Sequence, residues 1–207
     1  MKIAHIINPV KIGPESDLYI AQPITMHTML QAQAFARNSV VVDLYTTQYK
    51  EDREIIPKGL NITEDLKRSI LDIKTFKTNR KLPLIGDILN SLYTNSDSDI
   101  FIYTNVDIAL KPFFYLTIKS LLELGYDGFC INRKTIPKSY LGINELNIAN
   151  LPLLYSIEGE NHPGIDCFVF QRSIYPKFQL GNICIGFPPI GAVLFDNIKN
   201  FPRILFG

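Results

Sequence analysis

Short unbroken apolar runs alternate along the chain with longer stretches in which apolar positions recur at helical spacing. The runs at residues 2–7, 40–47, 100–104 and 165–170 carry almost no charge and are rich in β-branched and aromatic residues, as strands covered on both faces are. Between them, residues 24–36 place Met26, Met29, Leu30 and Phe35 on one side, with Thr25 as the expected cap. Residues 84–92 place Leu84, Ile85, Ile88, Leu89 and Leu92 at helical spacing. Further helices are expected at 112–124, opened by Pro112 and stopped by Gly125, and at 188–198. A short helix at 65–72, a strand at 73–76 and a strand at 127–132 complete the predicted elements, and residues 135–161 form a long excursion with little periodicity. Strands and helices alternate at roughly 25- to 35-residue intervals, which predicts a three-layer α/β domain with a mostly parallel sheet. The late excursion followed by a lone strand predicts an antiparallel element near the sheet edge.

Composition narrows the classes without choosing one. The 207 residues are 46% apolar and 20% charged, with a net charge of +1. They suit one domain over 1–207, read as a nucleotide-binding half (1–110) and an acceptor-side half (111–207). The near-zero charge gives no global attraction to nucleic acid or an anionic membrane. No stretch approaches the ~20 apolar residues of a membrane span, and MKIAHIINPV is interrupted too early for a signal peptide. Cys130, Cys167 and Cys184 each sit inside an apolar run without CxxC spacing, which predicts buried reduced thiols and a cytoplasmic protein.

The chemistry gathers where predicted strands end. In an open α/β sheet, ligands bind beyond the carboxyl ends of the strands. The first strand ends in Asn8-Pro9, and Asp17, Gln22 and Thr25 follow close behind. The run IFIYT breaks into Asn105-Val106-Asp107 before apolar residues resume. Asn105 and Asp107, two residues apart in an extended segment, face one side and could offer oxygens to a Mg²⁺ or Mn²⁺ ion bridging a diphosphate. Asp107 could equally cap a turn or the helix beginning near Pro112. In HPGIDCFVF, Pro163-Gly164 reads as a turn feeding a strand, with His162 and Asp166 as its chemically capable side chains; they could also simply pair to pin that turn. Arg80 and Lys81, after Asn79, and Arg133, after Asn132, are cations suited to a diphosphate. His5, inside the first strand, reads as a satisfied core histidine. GxSxG, P-loop, GxGxxG and zinc-spaced motifs are absent.

An apolar strand ending in a short acid-containing tripeptide, midway along an α/β chain, resembles the DxD motif of GT-A glycosyltransferases. The stretches INP, YTNVD and HPGIDCFVF are similar to ones in bacterial sequences of that type. The resemblance covers most of residues 1–200 in strand order and implies a Rossmann-related, GT-A-like nucleotide-diphospho-sugar transferase. It implies a nucleotide-sugar donor, an unknown hydroxyl acceptor and a divalent metal (Mn or Mg). Asp107 would bind the metal, with His162 as a late ligand, and Asn105 would meet the ribose. Asn8-Pro9 would line the base, Arg80 or Lys81 would approach the diphosphate, and Asp166 would be the catalytic base. The first Asp of the pattern is Asn105 here, which brings no charge. That departure supports an alternative, a catalytically inactive GT-A-like module that binds nucleotide or sugar or docks to a partner. A nucleotidyltransferase would need a second metal-binding carboxylate, for which Asp43, Asp127 and Asp166 are the candidates.

Overall fold

The computed structural model describes residues 1–75, 80–137 and 146–201, and the backbone of 204–206. The strands are β1 (Lys2–Ile7), β2 (Val41–Thr46), β3 (Asn61–Ile62), β4 (Ile100–Thr104), β5 (Gly128–Thr135), β6 (Glu160–Gln171) and β7 (Ile204–Phe206). The helices are α1 (Leu18–Ala36), α2 (Ile85–Asn95), α3 (Phe114–Glu123), α4 (Leu151–Ser156) and α5 (Ile190–Lys199). The strands form one sheet in the order β3-β2-β1-β4-β6-β5-β7. All run in one direction except β6, which is antiparallel to both its neighbours.

Alternation along each buried strand explains the three layers. Ile3, Ile7, Val42, Leu44, Ile100 and Ile102 face one side and share a core with Met29, Ala32 and Ala36 of α1 and Tyr115 and Ile118 of α3. Ala4, Ile6, Phe101, Tyr103, Phe168 and Phe170 face the other side, against Ile85, Ile88, Leu89 and Leu92 of α2 and Leu194 and Ile198 of α5. Burial on both faces is why these strands read as continuous apolar runs. Cys130, Cys167 and Cys184 are free and buried. Helix α3 stops where Gly125 takes φ +92°, a conformation that glycine adopts without strain.

Several expectations need correction. The antiparallel strand is interior, inserted between β4 and β5, because both its faces are apolar enough to be covered. Helix α1 begins at Leu18 with Asp17 at its N-cap. Thr25 therefore lies inside the helix, buried, its hydroxyl donating to the Ala21 carbonyl at 3.1 Å. At 65–72 only Ile70–Asp72 is helical, as a 3₁₀ turn capped by Ser69. No strand forms over 73–75, and residue 76 lies outside the described residues. The excursion holds α4 and a 3₁₀ turn (Ile148–Asn150), with 138–145 outside the described residues. Among the described residues no helix is long and apolar enough to cross a membrane.

The HPG stretch is not a turn; it lies within β6. Opposite β5, Ile131 pairs with Cys167 but Asn132 pairs with Ile165, so Asp166 is the extra residue of a bulge. Lys134 then pairs with Asn161, leaving His162, Pro163 and Gly164 opposite Arg133. Pro163 donates no ladder hydrogen bond, which suits it to such an irregularity. Bulges re-aim the side chains they carry. On its other edge β6 pairs Cys167 with Thr104. One step further, the Asn105 amide N–H reaches the Asp166 carbonyl at 3.4 Å and Asn105 Nδ2 donates to Asp166 Oδ1 at 2.8 Å.

That cross-strand pair accounts for Asn at position 105. A carboxylate there would meet the Asp166 carboxylate directly, and two acceptors cannot satisfy each other. Asn105→Asp is expected to cost about 1–3 kcal/mol at neutral pH. In a urea-unfolding double-mutant cycle with Asp166→Asn, the double variant should be more stable than the sum of the singles by about 1 kcal/mol. Additive losses would mean that the pair is not the constraint.

His5 is fully buried, its Nδ1 2.8 Å from the Tyr115 hydroxyl and its Nε2 2.9 Å from Thr104 Oγ1. Burial disfavours the charged ring and lowers its pKa from 6.5 to about 3. The unfolded chain thus takes up a proton below 6.5 that the native site refuses until about 3. Stability is whole above that window and falls as pH drops through it, by up to about 1.4 kcal/mol per pH unit. His5→Gln should flatten the decline in the urea midpoint between the imidazole and carboxylate titration ranges; an unchanged slope would assign that decline to other groups.

Candidate functional site

The site lies on the rim where the parallel strands β1, β4 and β5 end and the antiparallel β6 begins its bulged segment. Ile6 of β1 pairs with Tyr103 of β4, so Asn8 and Asn105 lie two residues beyond a matched pair on neighbouring strands. The loop after β4 holds Asp107 in a turn. Val106 and Ile108 on either side pack against the α1/α3 core. Leu110 is pinned by its N–H to Thr28 Oγ1 (3.0 Å) and its carbonyl to the Tyr155 hydroxyl (2.7 Å). The apolar residues flanking Asp107 therefore act as anchors, and the carboxylate is turned outward. It does not cap α3, which begins at Phe114 with Phe113 at its N-cap and no side-chain cap.

Arg133 is the centre of the cluster. Strand β5 runs on to Thr135 rather than stopping at Asn132, which carries Arg133 across to the bulged part of β6. Its Nη1 donates to Asp107 Oδ2 at 2.8 Å and its Nη2 lies 3.1 Å from His162 Nε2. Its Nε stands 3.2 Å from Asp166 Oδ2. The last contact is an ion pair off the hydrogen-bond line, for both atoms are buried without a hydrogen-bond partner. A guanidinium only donates, so His162 Nε2 must accept. His162 Nε2 also lies 3.8 Å from Asp166 Oδ2, and its Nδ1 stands 3.3 Å from Thr135 Oγ1. A Cβ at Gly164 would come within 3.0 Å of His162 Nε2, so glycine leaves room for the ring.

The two carboxylates differ in access. The Asp166 side chain is 12% exposed and the Asp107 side chain 34%. Below them, Tyr103 donates its hydroxyl to Asn105 Oδ1 at 3.1 Å. Burial, reinforced by the charges of Asp107 and Asp166, pushes this phenol above its ordinary range and keeps it a donor. Tyr103, Asn105 and Asp166 thus form one chain of hydrogen bonds whose outer end meets Arg133.

Asn105, Asp107, His162 and Asp166 are brought together. Asn8 is on the same rim, but its Nδ2 donates to the Thr47 carbonyl at 2.6 Å, tying the end of β1 to the segment after β2. Pro9 beside it is buried. Gln22 clips the next residue, accepting from the Val10 N–H and donating to its carbonyl, both at 2.8 Å. Lys81 pairs with Glu51 at 2.7 Å and lies over the Tyr49 ring. Arg80 is exposed, and Asn79 lies outside the described residues. Among the described residues, no hydrogen bond or ion pair joins Arg80 or Lys81 to the cluster. Sequence reading missed Thr135 and the Tyr103 hydroxyl; Tyr103, two residues before Asn105, carried a legible signal.

A divalent ion bridging a diphosphate would need oxygen ligands, and here the expected ligands already hold a cation. Asp107 Oδ2 and His162 Nε2 both engage the Arg133 guanidinium, and Asp166 is shared between Asn105 and the same cation. Among the described residues, no group of three or more His, Cys, Asp or Glu side chains could hold a metal.

No family model matches the chain, and no curated protein matches it in sequence. Solved structures do match it in shape. S. aureus TarS 1–349 in complex with UDP-GlcNAc has a TM-score of 0.59 at 10% identity, covering 100% of this chain and 56% of that one. Glucosyl-3-phosphoglycerate synthase from Mycobacterium tuberculosis, in complex with phosphoglyceric acid, has a TM-score of 0.54 at 15% identity, covering 99% and 68%. A Bacillus anthracis protein assigned as a glucose-1-phosphate thymidylyltransferase, in complex with a sucrose, has a TM-score of 0.52 at 8% identity, covering 99% and 86%. The chain thus spans little more than half the length of the TarS segment it matches. With its strand order and its layers of helices, the likeness shows a GT-A-like fold.

Proposed function

We propose that this chain binds a nucleotide-sugar on the rim formed by β1, β4 and the bulge of β6, and transfers the sugar to a hydroxyl acceptor. The observation that carries the reading is the Asp107–Arg133–Asp166 cluster, built by a bulge beyond the carboxyl end of β4. TarS, with the same fold, is described with UDP-GlcNAc bound, which supports a nucleotide-sugar as the ligand class. Asn8 and Pro9 would shape the wall beside the base, and Asn105 would face the ribose side.

Geometry favours Asp107 over Asp166 as the base. Asp166 is buried and has both oxygens directed at Asn105 and Arg133; in this reading it would be a positioning residue rather than the base. Asp107 is the more exposed carboxylate and spends one oxygen on Arg133. It could take the acceptor's proton as the hydroxyl oxygen attacks the sugar carbon and the diphosphate leaves. A second reading, a module that binds nucleotide or sugar without transfer, is favoured by the neutral Asn105 and the fully engaged Asp166.

A thermal-shift screen of UDP-, GDP- and TDP-sugars, with nucleoside-diphosphate release measured alongside, tests these readings. Stabilisation by one donor with slow release is expected. Asp107→Asn should keep donor binding and lower release by about 10²- to 10⁴-fold, the usual worth of a general base. Binding with no release from the wild type would favour the module. No stabilisation by any donor would remove the nucleotide-sugar reading.

A further inference from the structure

We propose that Arg133 is the cation of this site and that the chain binds its donor diphosphate without a divalent metal. This rests on the nucleotide-sugar reading above. The DxD resemblance implies two carboxylates balanced by a doubly charged ion. Here the cation is one guanidinium, standing against Asp107 at 2.8 Å and Asp166 at 3.2 Å. Asn105 supplies no charge where the pattern has an Asp, and a single guanidinium grips Asp107 at 2.8 Å. An Asp at 105 would set a third carboxylate against that one guanidinium, so the neutral Asn105 limits the negative charge that a diphosphate would meet.

Asn105 cannot be exchanged for a carboxylate without confronting Asp166, its hydrogen-bond acceptor at 2.8 Å. Arg133 cannot leave without stranding Asp166 Oδ2, which is buried and 3.2 Å from its Nε. A divalent ion at Asp107 would stand beside a fixed positive charge and compete with it for the same oxygen. The guanidinium still has capacity for a ligand. It carries five N–H groups, and the three contacts to Asp166, Asp107 and His162 leave one N–H on each terminal nitrogen. Its side chain is 26% exposed, so those groups can meet a phosphate oxygen, with the planar fork suited to bidentate contact. His162 Nε2, 3.1 Å from Arg133 Nη2, holds the fork in place.

The test is calorimetric titration of UDP, CDP, GDP, ADP and TDP into the whole chain, in EDTA and separately with Mn²⁺ or Mg²⁺. The expected result is that one diphosphate binds in EDTA and that neither metal tightens it. Arg133→Gln should weaken that binding about tenfold or more, in line with loss of charge-assisted hydrogen bonds, with the fold checked by circular dichroism. Asp107→Asn provides a second arm: it removes a negative charge and releases the guanidinium, so binding in EDTA should tighten. Binding that appears only with Mn²⁺ or Mg²⁺, or that is lost in Asp107→Asn, would overturn the proposal and leave nucleotide binding standing. No binding under either condition would overturn the nucleotide reading itself and this proposal with it.

Discussion

The site depends on where β6 sits. Among the described residues it is the one antiparallel strand in an otherwise parallel sheet, and it lies between β4 and β5 rather than at an edge. A parallel strand in that slot would bring its carboxyl end to the rim. The antiparallel strand instead brings its amino-terminal part, where Pro163 and Gly164 interrupt the ladder. Two residues of β5 thereby oppose five of β6, and the surplus includes His162 and Asp166. The regular half, Cys167 to Gln171, is locked into the core by aromatic contacts such as Phe101 with Phe170 and Tyr103 with Phe168. Rigid pairing at one end and bulging at the other let one strand serve as both core and site.

Electrostatics then follow from burial. Asp166 cannot rely on water, so its oxygens are taken up by an amide and a guanidinium. That requirement selects Asn at 105 and Arg at 133, two positions unrelated in sequence. A buried carboxylate left without either partner would cost several kcal/mol. Such a network orients its outer members because its inner members have no alternative partners. Asp107, the most exposed carboxylate of the group, is held by one Arg133 contact and by a loop whose apolar residues are fixed in the core. It is the member with the most freedom to meet a ligand.

The same reasoning separates cations that belong to the site from those that do not. In the sequence Lys81 precedes a helix and a later strand, where a cation suits a diphosphate. In the fold it is spent on Glu51 and the Tyr49 ring. Arg133 offers a similar signal, one cation at a predicted strand end. It is central because β5 continues past that end and because the bulge in β6 opens opposite it.

The pattern of apolar runs and helical spacing by itself determined the α/β class, the start and end of β1, and the placement of β4 and α2, because strands covered on both faces must be apolar without interruption. It also marked Asn105, Asp107, His162 and Asp166, since polar side chains close to buried runs need partners. What the sequence left open was which partners. The Asn105–Asp166 pair joins residues 61 positions apart, and Arg133 reaches Asp107 across 26. Those contacts depend on strand order, direction and register, which arise from packing between distant elements and leave no local periodicity. The early start of α1, despite Pro23, and the interior position of β6 were decided in the same way: burial against neighbouring elements outweighed the local signals at Pro23 and at Pro163-Gly164.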